Sequence, residues 1–148
     1  MTLRILEQER LLWQQHPEMH LDLDLNEFVH RLRFFNQNIN RARNRTEPKQ
    51  IEITAIDCVR QAHRQNWLCA ITGRPLEFRR GGQYYRGQWR NPNSASIDRL
   101  DSDLGYYPSN IQILTDIANC WKSHYTDQEL RELSEGYLRS LDHRPTGV

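Results

Sequence analysis

Asp98, Asn119 and Lys122 are the residues whose types and spacing could do chemistry in this chain. Asp98 ends a short strand-like run, Ala95-Ser96-Ile97-Asp98, and offers carboxylate oxygens to a hard cation. Asn119 and Lys122 lie three apart in a helix-like run, where a rotation of about 100° per residue sets them side by side. Two strands packed on such a helix would bring Asp98 across from Asn119. An acid and an amide then supply two oxygen ligands for Mg²⁺ and leave positions for water and phosphate, with Lys122 within reach of a phosphate oxygen.

The elements that must position them can be read from the same stretch. Asp101 to Pro108, with Gly105, is loop, and Asn110 to Leu114 is a second strand carrying Ile111 and Ile113 on one side. Thr115 or Asp116 caps the next helix. On that helix Ile117, Cys120 and Trp121 gather opposite Asn119 and Lys122, so the periodicity predicts one face in the core and the other open to a ligand.

Upstream, two clusters of cations suggest a polyanionic partner. A first helix runs to His16-Pro17, and a second spans Asn26 to about Arg43 with Phe28, Val29, Leu32, Phe35 and Ile39 on its apolar stripe. The stretch from Arg31 to Lys49 carries Arg31, Arg33, Arg41, Arg43, Arg45 and Lys49 against the single acid Glu47. Such a run either contacts phosphates with counterion release or is a solvated helix end that complements the macrodipole. After a third helix, Ile53 to about Asn66, and a Thr72-to-Pro75 turn, the segment Arg79 to Arg90 alternates Arg79, Arg80, Arg86 and Arg90 with Tyr84, Tyr85 and Trp89. The pair Gly81-Gly82 marks a hairpin, and the composition suits an arm that tracks a backbone and stacks on bases or sugars. The plainer alternative is a surface loop whose aromatics fold back onto the core.

Bulk properties narrow the class. A chain of 148 residues with 37% hydrophobic content and mean hydropathy −0.86 reads as one domain with a small core and long polar helices or arms. A net charge of +1 excludes a uniformly basic nucleic-acid binder. Three cysteines, Cys58, Cys69 and Cys120, form no disulfide framework and no CxxC, so a reducing, intracellular setting is expected. No run approaches the roughly 18 apolar residues of a membrane span, and the N-terminus lacks a signal-peptide core. The chain ends with a capping-box pattern, Thr126 to Glu129, and a helix whose Leu130, Leu133, Tyr137, Leu138 and Leu141 form an expected packing face.

Five short elements in order resemble the HNH, or ββα-metal (His-Me finger), endonucleases, in a branch found in phages and mobile elements. They are Cys69-Ala70-Ile71-Thr72-Gly73, Ser96-Ile97-Asp98-Arg99-Leu100-Asp101, Gly105-Tyr106, Asn110-Ile111-Gln112 and Asn119-Cys120-Trp121-Lys122. The resemblance covers Leu68 to Lys122, roughly a third of the chain. It implies that Asp98 and Asn119 are ligands of Mg²⁺ or Mn²⁺, that Asn110 braces the loop and that Lys122 is the trailing basic residue. Arg99 falls where the general-base histidine of the family stands. Arginine cannot accept a proton, so it suits a bidentate phosphate clamp, with His124, Tyr106 or Asp101 left as proton acceptors; its other reading is an ion pair with Asp98 or Asp101. Three positions that carry zinc-binding cysteines in many such fingers are Thr72, Thr115 and Ala118, so no structural zinc is expected.

The expected fold is therefore α+β and mostly helical, with a ββα-metal finger in the C-terminal half. Residues 1–50 form a helical region that is a candidate for nucleic-acid contact, and residues 51–148 a nuclease-like domain with a packing helix. The expected activity is metal-dependent hydrolysis of phosphodiester bonds in nucleic acid, most simply double-stranded DNA, by a cytoplasmic protein with no membrane contact. The alternative is an inactive nucleic-acid-binding module of the same shape. Catalytic candidates are Asp98, Arg99, Asn110, Asn119 and Lys122; nucleic-acid contacts are Arg41, Arg43, Arg79, Arg80, Tyr84, Arg86 and Arg90.

Overall fold

A computed structural model describes residues 3–45, 50–82, 84–85 and 87–144. Helix α1 (Glu7–Gln15) is followed by a 3₁₀ turn at Pro17–Met19 and by the long helix α2 (Leu25–Arg43). Asp24 caps α2 by accepting from the Glu27 amide at 2.8 Å while Glu27 returns a bond to the Asp24 amide, a reciprocal capping box. Helix α3 (Ala55–Arg64) starts two residues later than its apolar pattern suggests, because Thr54 and Asp57 form its cap.

A small hairpin of β1 (Tyr84–Tyr85) and β2 (Gln88–Trp89) comes next. Its turn lies around Gly87, at φ 77°, and not at Gly81-Gly82. The candidate site residues lie on and beside an antiparallel pair, β3 (Ala95–Arg99) and β4 (Ile111–Thr115), with Asp98 opposite Gln112 and Ser96 opposite Leu114. Helix α4 (Asp116–Lys122) leaves β4 directly, its cap formed by the Thr115 hydroxyl accepting from the Ala118 amide at 3.4 Å. Helix α5 (Asp127–Leu141) closes the described chain. The architecture is thus α+β with a β-hairpin and an adjoining helix in the C-terminal half.

One core runs through both halves of the sequence. Phe28, Val29 and Phe35 of α2 pack with Cys58, Val59 and Ala62 of α3, and the same cluster continues into Ile113, Leu114 and Ala118. Helix α3 lies against β4, where the Gln65 side chain bonds the Ile113 backbone, and α4 lies against both strands.

Helix α5 departs from its expected role. Only Leu130 is buried, while Leu133, Tyr137 and Leu138 are more than half exposed. Beyond Leu130 the stripe is open to solvent among the described residues, so most of its amphipathic face has no covering surface there. No helix of the described residues is long and apolar enough to cross a membrane.

Candidate functional site

The polar centre of the molecule lies between β3 and α4. Strand alternation places Ser96 and Asp98 on one face of β3, and the register adds Gln112 of β4 to that face. Helix α4 meets the same face with Asn119 and Lys122. The Asn119 amide donates to the Ser96 hydroxyl at 2.7 Å, and the Lys122 ammonium lies 3.1 Å from Asp98 Oδ2. Gln112 Nε2 donates to the same Asp98 oxygen at 2.9 Å, and Lys122 also donates to the Arg99 carbonyl at 3.3 Å.

This reverses the helix faces expected from periodicity. Lys122 is fully buried and Asp98 is 6% exposed, whereas Trp121 is 52% exposed and Cys120 is open to solvent. The 3.6-residue period separates the two faces correctly, but the sheet surface offered to α4 is polar. Asp98, Ser96 and Gln112 supply the partners that Lys122 and Asn119 require when buried, so the polar face turns inward. Lys122 is the counter-charge of Asp98 here and anchors its carboxylate.

Asn110 sits at the foot of β4, buried, and spans the connecting loop. Its side chain accepts from the Asp101 amide at 2.9 Å and donates to the carbonyls of Asp101 at 3.0 Å and Gly105 at 2.9 Å. Gly105 itself is fixed by a close approach: a Cβ there would stand 2.5 Å from the Gln50 carbonyl, because the neighbouring Tyr106 amide donates to that carbonyl at 2.7 Å. The loop is therefore held from both sides, and it holds Arg99 in turn.

Arg99 does not pair with Asp98 or Asp101 among the described residues. Its Nη1 donates to the carbonyls of Ser102 at 2.8 Å and Leu104 at 2.9 Å, and its guanidinium lies over the Tyr106 ring at 5.2 Å. Side-chain direction explains this: Arg99 is one residue beyond Asp98 and points to the opposite face of β3. The three alternative proton acceptors have contacts elsewhere. Tyr106 is buried and its hydroxyl accepts from Arg45, Asp101 Oδ1 accepts from the Asp103 amide, and His124 is exposed beside Ser123.

Whether these side chains suit a divalent cation depends on their free atoms. Asp98 Oδ2 is occupied, but its Oδ1 and the Asn119 amide oxygen accept no hydrogen bond among the described residues. One carboxylate and one amide oxygen fit Mg²⁺ in its usual mode, in which substrate phosphates and water complete the shell. Among the described residues no three His, Cys, Asp or Glu side chains gather as a metal cluster.

Cys69, Thr72, Thr115 and Ala118, the positions matching a zinc knuckle, are linked by hydrogen bonds. Thr115 Oγ1 donates to Cys69 Sγ at 3.8 Å and accepts from Ala118. Burial pushes the Cys69 thiol up, but hydrogen bonds from the Thr72 hydroxyl and from the backbone of Thr115, Ile71 and Thr72 outweigh it, leaving a net downward shift.

The cationic residues divide into engaged and free. Arg33 is engaged internally: it grips Glu9 through two bonds of 2.8 and 2.9 Å. Arg31 lies over the faces of Trp67 and Phe78, at 4.3 and 4.4 Å from their centroids, with desolvation lowering its pKa. Arg41 and Arg43 remain exposed at the end of α2. Arg79 is exposed beside Glu77, Arg80 donates to Asn38, and Arg90 binds Asp116 through Nε at 2.7 Å. Tyr84 stands on β1, and Lys49 and Arg86 lie outside the described residues.

Sequence reasoning named the motif N-I-Q without assigning Gln112, and passed over Ser96, Asn38 and Asp116 as partners. The signal for Gln112 was present: it is the one amide in an otherwise apolar central run of β4, on the Asp98 side of the strand pair. Family models, curated proteins and solved structures give no match to this chain.

Proposed function

We propose that the chain is an HNH-like, metal-dependent endonuclease that hydrolyses phosphodiester bonds in nucleic acid, with DNA as the expected substrate. The observation that carries this reading is the polar cluster of buried Asp98, Gln112 and Lys122 with half-buried Ser96 and Asn119, between a β-hairpin and its helix. A fold that only needed stability gains little from a buried acid and ammonium there, since apolar replacements of similar volume are often neutral or better. Asp98 and Asn119 would hold Mg²⁺ or Mn²⁺ through the two oxygens that accept no internal hydrogen bond. When bound, the cation supplies charge stabilisation at the phosphate and lowers the pKa of water. Gln112 and Lys122 orient the Asp98 carboxylate, Asn119 is aligned through Ser96, and Asn110 keeps the 101–105 loop in shape. Arg99 serves the loop by fastening Ser102 and Leu104.

The test is nicking of supercoiled plasmid with Mg²⁺ or Mn²⁺, abolished in Asp98→Ala and Asn119→Ala proteins that remain folded. Activity that survives both substitutions would sink the assignment.

A second reading, a nucleic-acid-binding module without turnover, is favoured by two observations. Lys122 already neutralises Asp98, and Arg99, standing at the family's general-base position, is committed to backbone carbonyls. Such a protein binds DNA with a steep salt dependence and shows no metal-stimulated cleavage at any pH.

A further inference from the structure

Beside the finger, a cleft of about 220 Å³ opens between the end of α2, the residues flanking the β1–β2 hairpin and the start of β3. Its walls are polar: Arg80, Arg90, Asn38, Asn91, Ser96 and Asp116 face it. The two arginines stand at the neck of the arm, which is closed by the Asn91 amide donating to the Arg80 carbonyl at 2.7 Å and by Asn91 Nδ2 donating to the Arg79 carbonyl at 3.3 Å. Two guanidiniums are thereby brought to one small volume.

Their internal partners do not balance them. Arg80 donates to the neutral Asn38 amide, while Arg90 takes Asp116 and the Cys120 sulfur, so among the described residues the cleft keeps one positive charge in excess. Asp116 raises the pKa of Arg90 and occupies the fork that would otherwise meet an anion. The volume holds about seven waters' worth of space, enough for a phosphodiester group with its sugar oxygens. Arginine with Asn and Ser is also the side-chain set that contacts phosphate oxygens in nucleic-acid complexes.

Ser96 joins this cleft to the finger. It lines the cleft and accepts from Asn119, and Asp98 follows it by two residues on the same face of β3. Two residues of strand span about 6.6 Å, comparable with one nucleotide step along a polynucleotide. We propose that the Arg80/Arg90 cleft is a phosphate subsite that binds the backbone one nucleotide away from the phosphodiester presented to Asp98 and Asn119. The ligand is a polynucleotide strand, laid along β3. The assignment of the neighbouring position rests on the proposed reading of the finger; the phosphate subsite itself does not.

The experiment is binding of a short fluorescent single-stranded oligodeoxynucleotide in EDTA, followed across a salt series, so that turnover plays no part. Arg80→Gln and Arg90→Gln are each expected to weaken binding about fivefold to tenfold at moderate salt and to lower the slope of log K against log salt by about one. Arg74→Gln, an exposed arginine in the Thr72-to-Pro75 turn, should leave the slope unchanged. Asp116→Asn should tighten binding, because it frees Arg90. Arg90→Gln leaves Asp116 unpaired and cancels the excess charge of the cleft, so the double variant Arg90→Gln/Asp116→Asn, which restores the net charge of the parent, should recover most of the slope. An unchanged slope for Arg80→Gln overturns the subsite, as does an equal loss in Arg74→Gln. Plasmid nicking by Asp98→Ala and Asn119→Ala reports on the finger separately, so either assignment can fail while the other stands.

Discussion

Replacing Lys122 by Met tests the centre of the site most directly. Lys122 is fully buried, and its ammonium is the only cation among the described residues within ion-pair distance of Asp98, itself 6% exposed. Met keeps most of the side-chain volume and removes the charge, which leaves the Asp98 carboxylate with the Gln112 amide alone. Stranding one member of a buried pair costs about 3–5 kcal/mol, a large share of the roughly 5–15 kcal/mol that holds a domain together. At about 2–4 °C per kcal/mol for a chain near this size, the midpoint should fall by roughly 6–20 °C. The double variant Asp98→Asn/Lys122→Met removes both charges and should recover most of that loss. Urea unfolding at neutral pH with a thermal melt gives both numbers. If Lys122→Met lies within about 1 kcal/mol of the parent, or the double variant is no better than the single one, the buried pair is not the organising contact. Divalent cations add a second arm: an ion on Asp98 replaces the missing charge, so saturating Mn²⁺ should raise the midpoint of Lys122→Met more than that of the parent, with about 2.7 kcal/mol gained at a hundredfold excess over Kd.

Two further perturbations examine how the surroundings are held. Gly105→Ala places a methyl 2.5 Å from the Gln50 carbonyl and should destabilise by about 1–3 kcal/mol, read as a lower thermal midpoint; an unchanged midpoint would refute the close approach of Gly105 to the Gln50 carbonyl. Glu9→Gln removes the carboxylate that Arg33 grips. Because the Arg33 hydrogen bonds hold Glu9 below its ordinary value of 4.5, its contribution of about 1–2 kcal/mol is fully present above that pH and is lost as pH falls through the depressed folded value. Parent and variant should therefore differ in stability at neutral pH and converge in strong acid, and a constant gap across the titration would refute the pairing.

Local rules made much of this fold legible. The apolar spacing of Phe28, Val29, Leu32, Phe35 and Ile39 marks α2, and Thr126 with Glu129 marks the start of α5, because period and capping act within a few residues. The loop-and-strand punctuation from Ala95 to Thr115 likewise anticipated β3, β4 and the Thr115 cap. Such rules could not assign the partner each residue meets. Arg31 and Arg33 look like neighbours in a basic run, yet one lies over the rings of Trp67 and Phe78 and the other is bound to Glu9, residues distant in sequence. The apolar stripe of α5 reads as a packing face, but whether a surface exists to cover it is a property of the whole molecule.

The sequence by itself determined the parts of the β3–β4–α4 unit: a strand carrying Asp98, a loop with Gly105 and Asn110, a second strand, and a helix with Asn119 and Lys122 on one face. Tertiary structure alone decided what that face is for. Helical periodicity distinguishes two sides without saying which is turned toward the sheet, and that choice depends on the surface the sheet presents. Here β3 and β4 offer a carboxylate, a hydroxyl and an amide, so the polar side of α4 goes inward and Lys122 becomes the buried counter-charge of Asp98. The alternation of β3 then sends Arg99 to the other face, where loop carbonyls satisfy it.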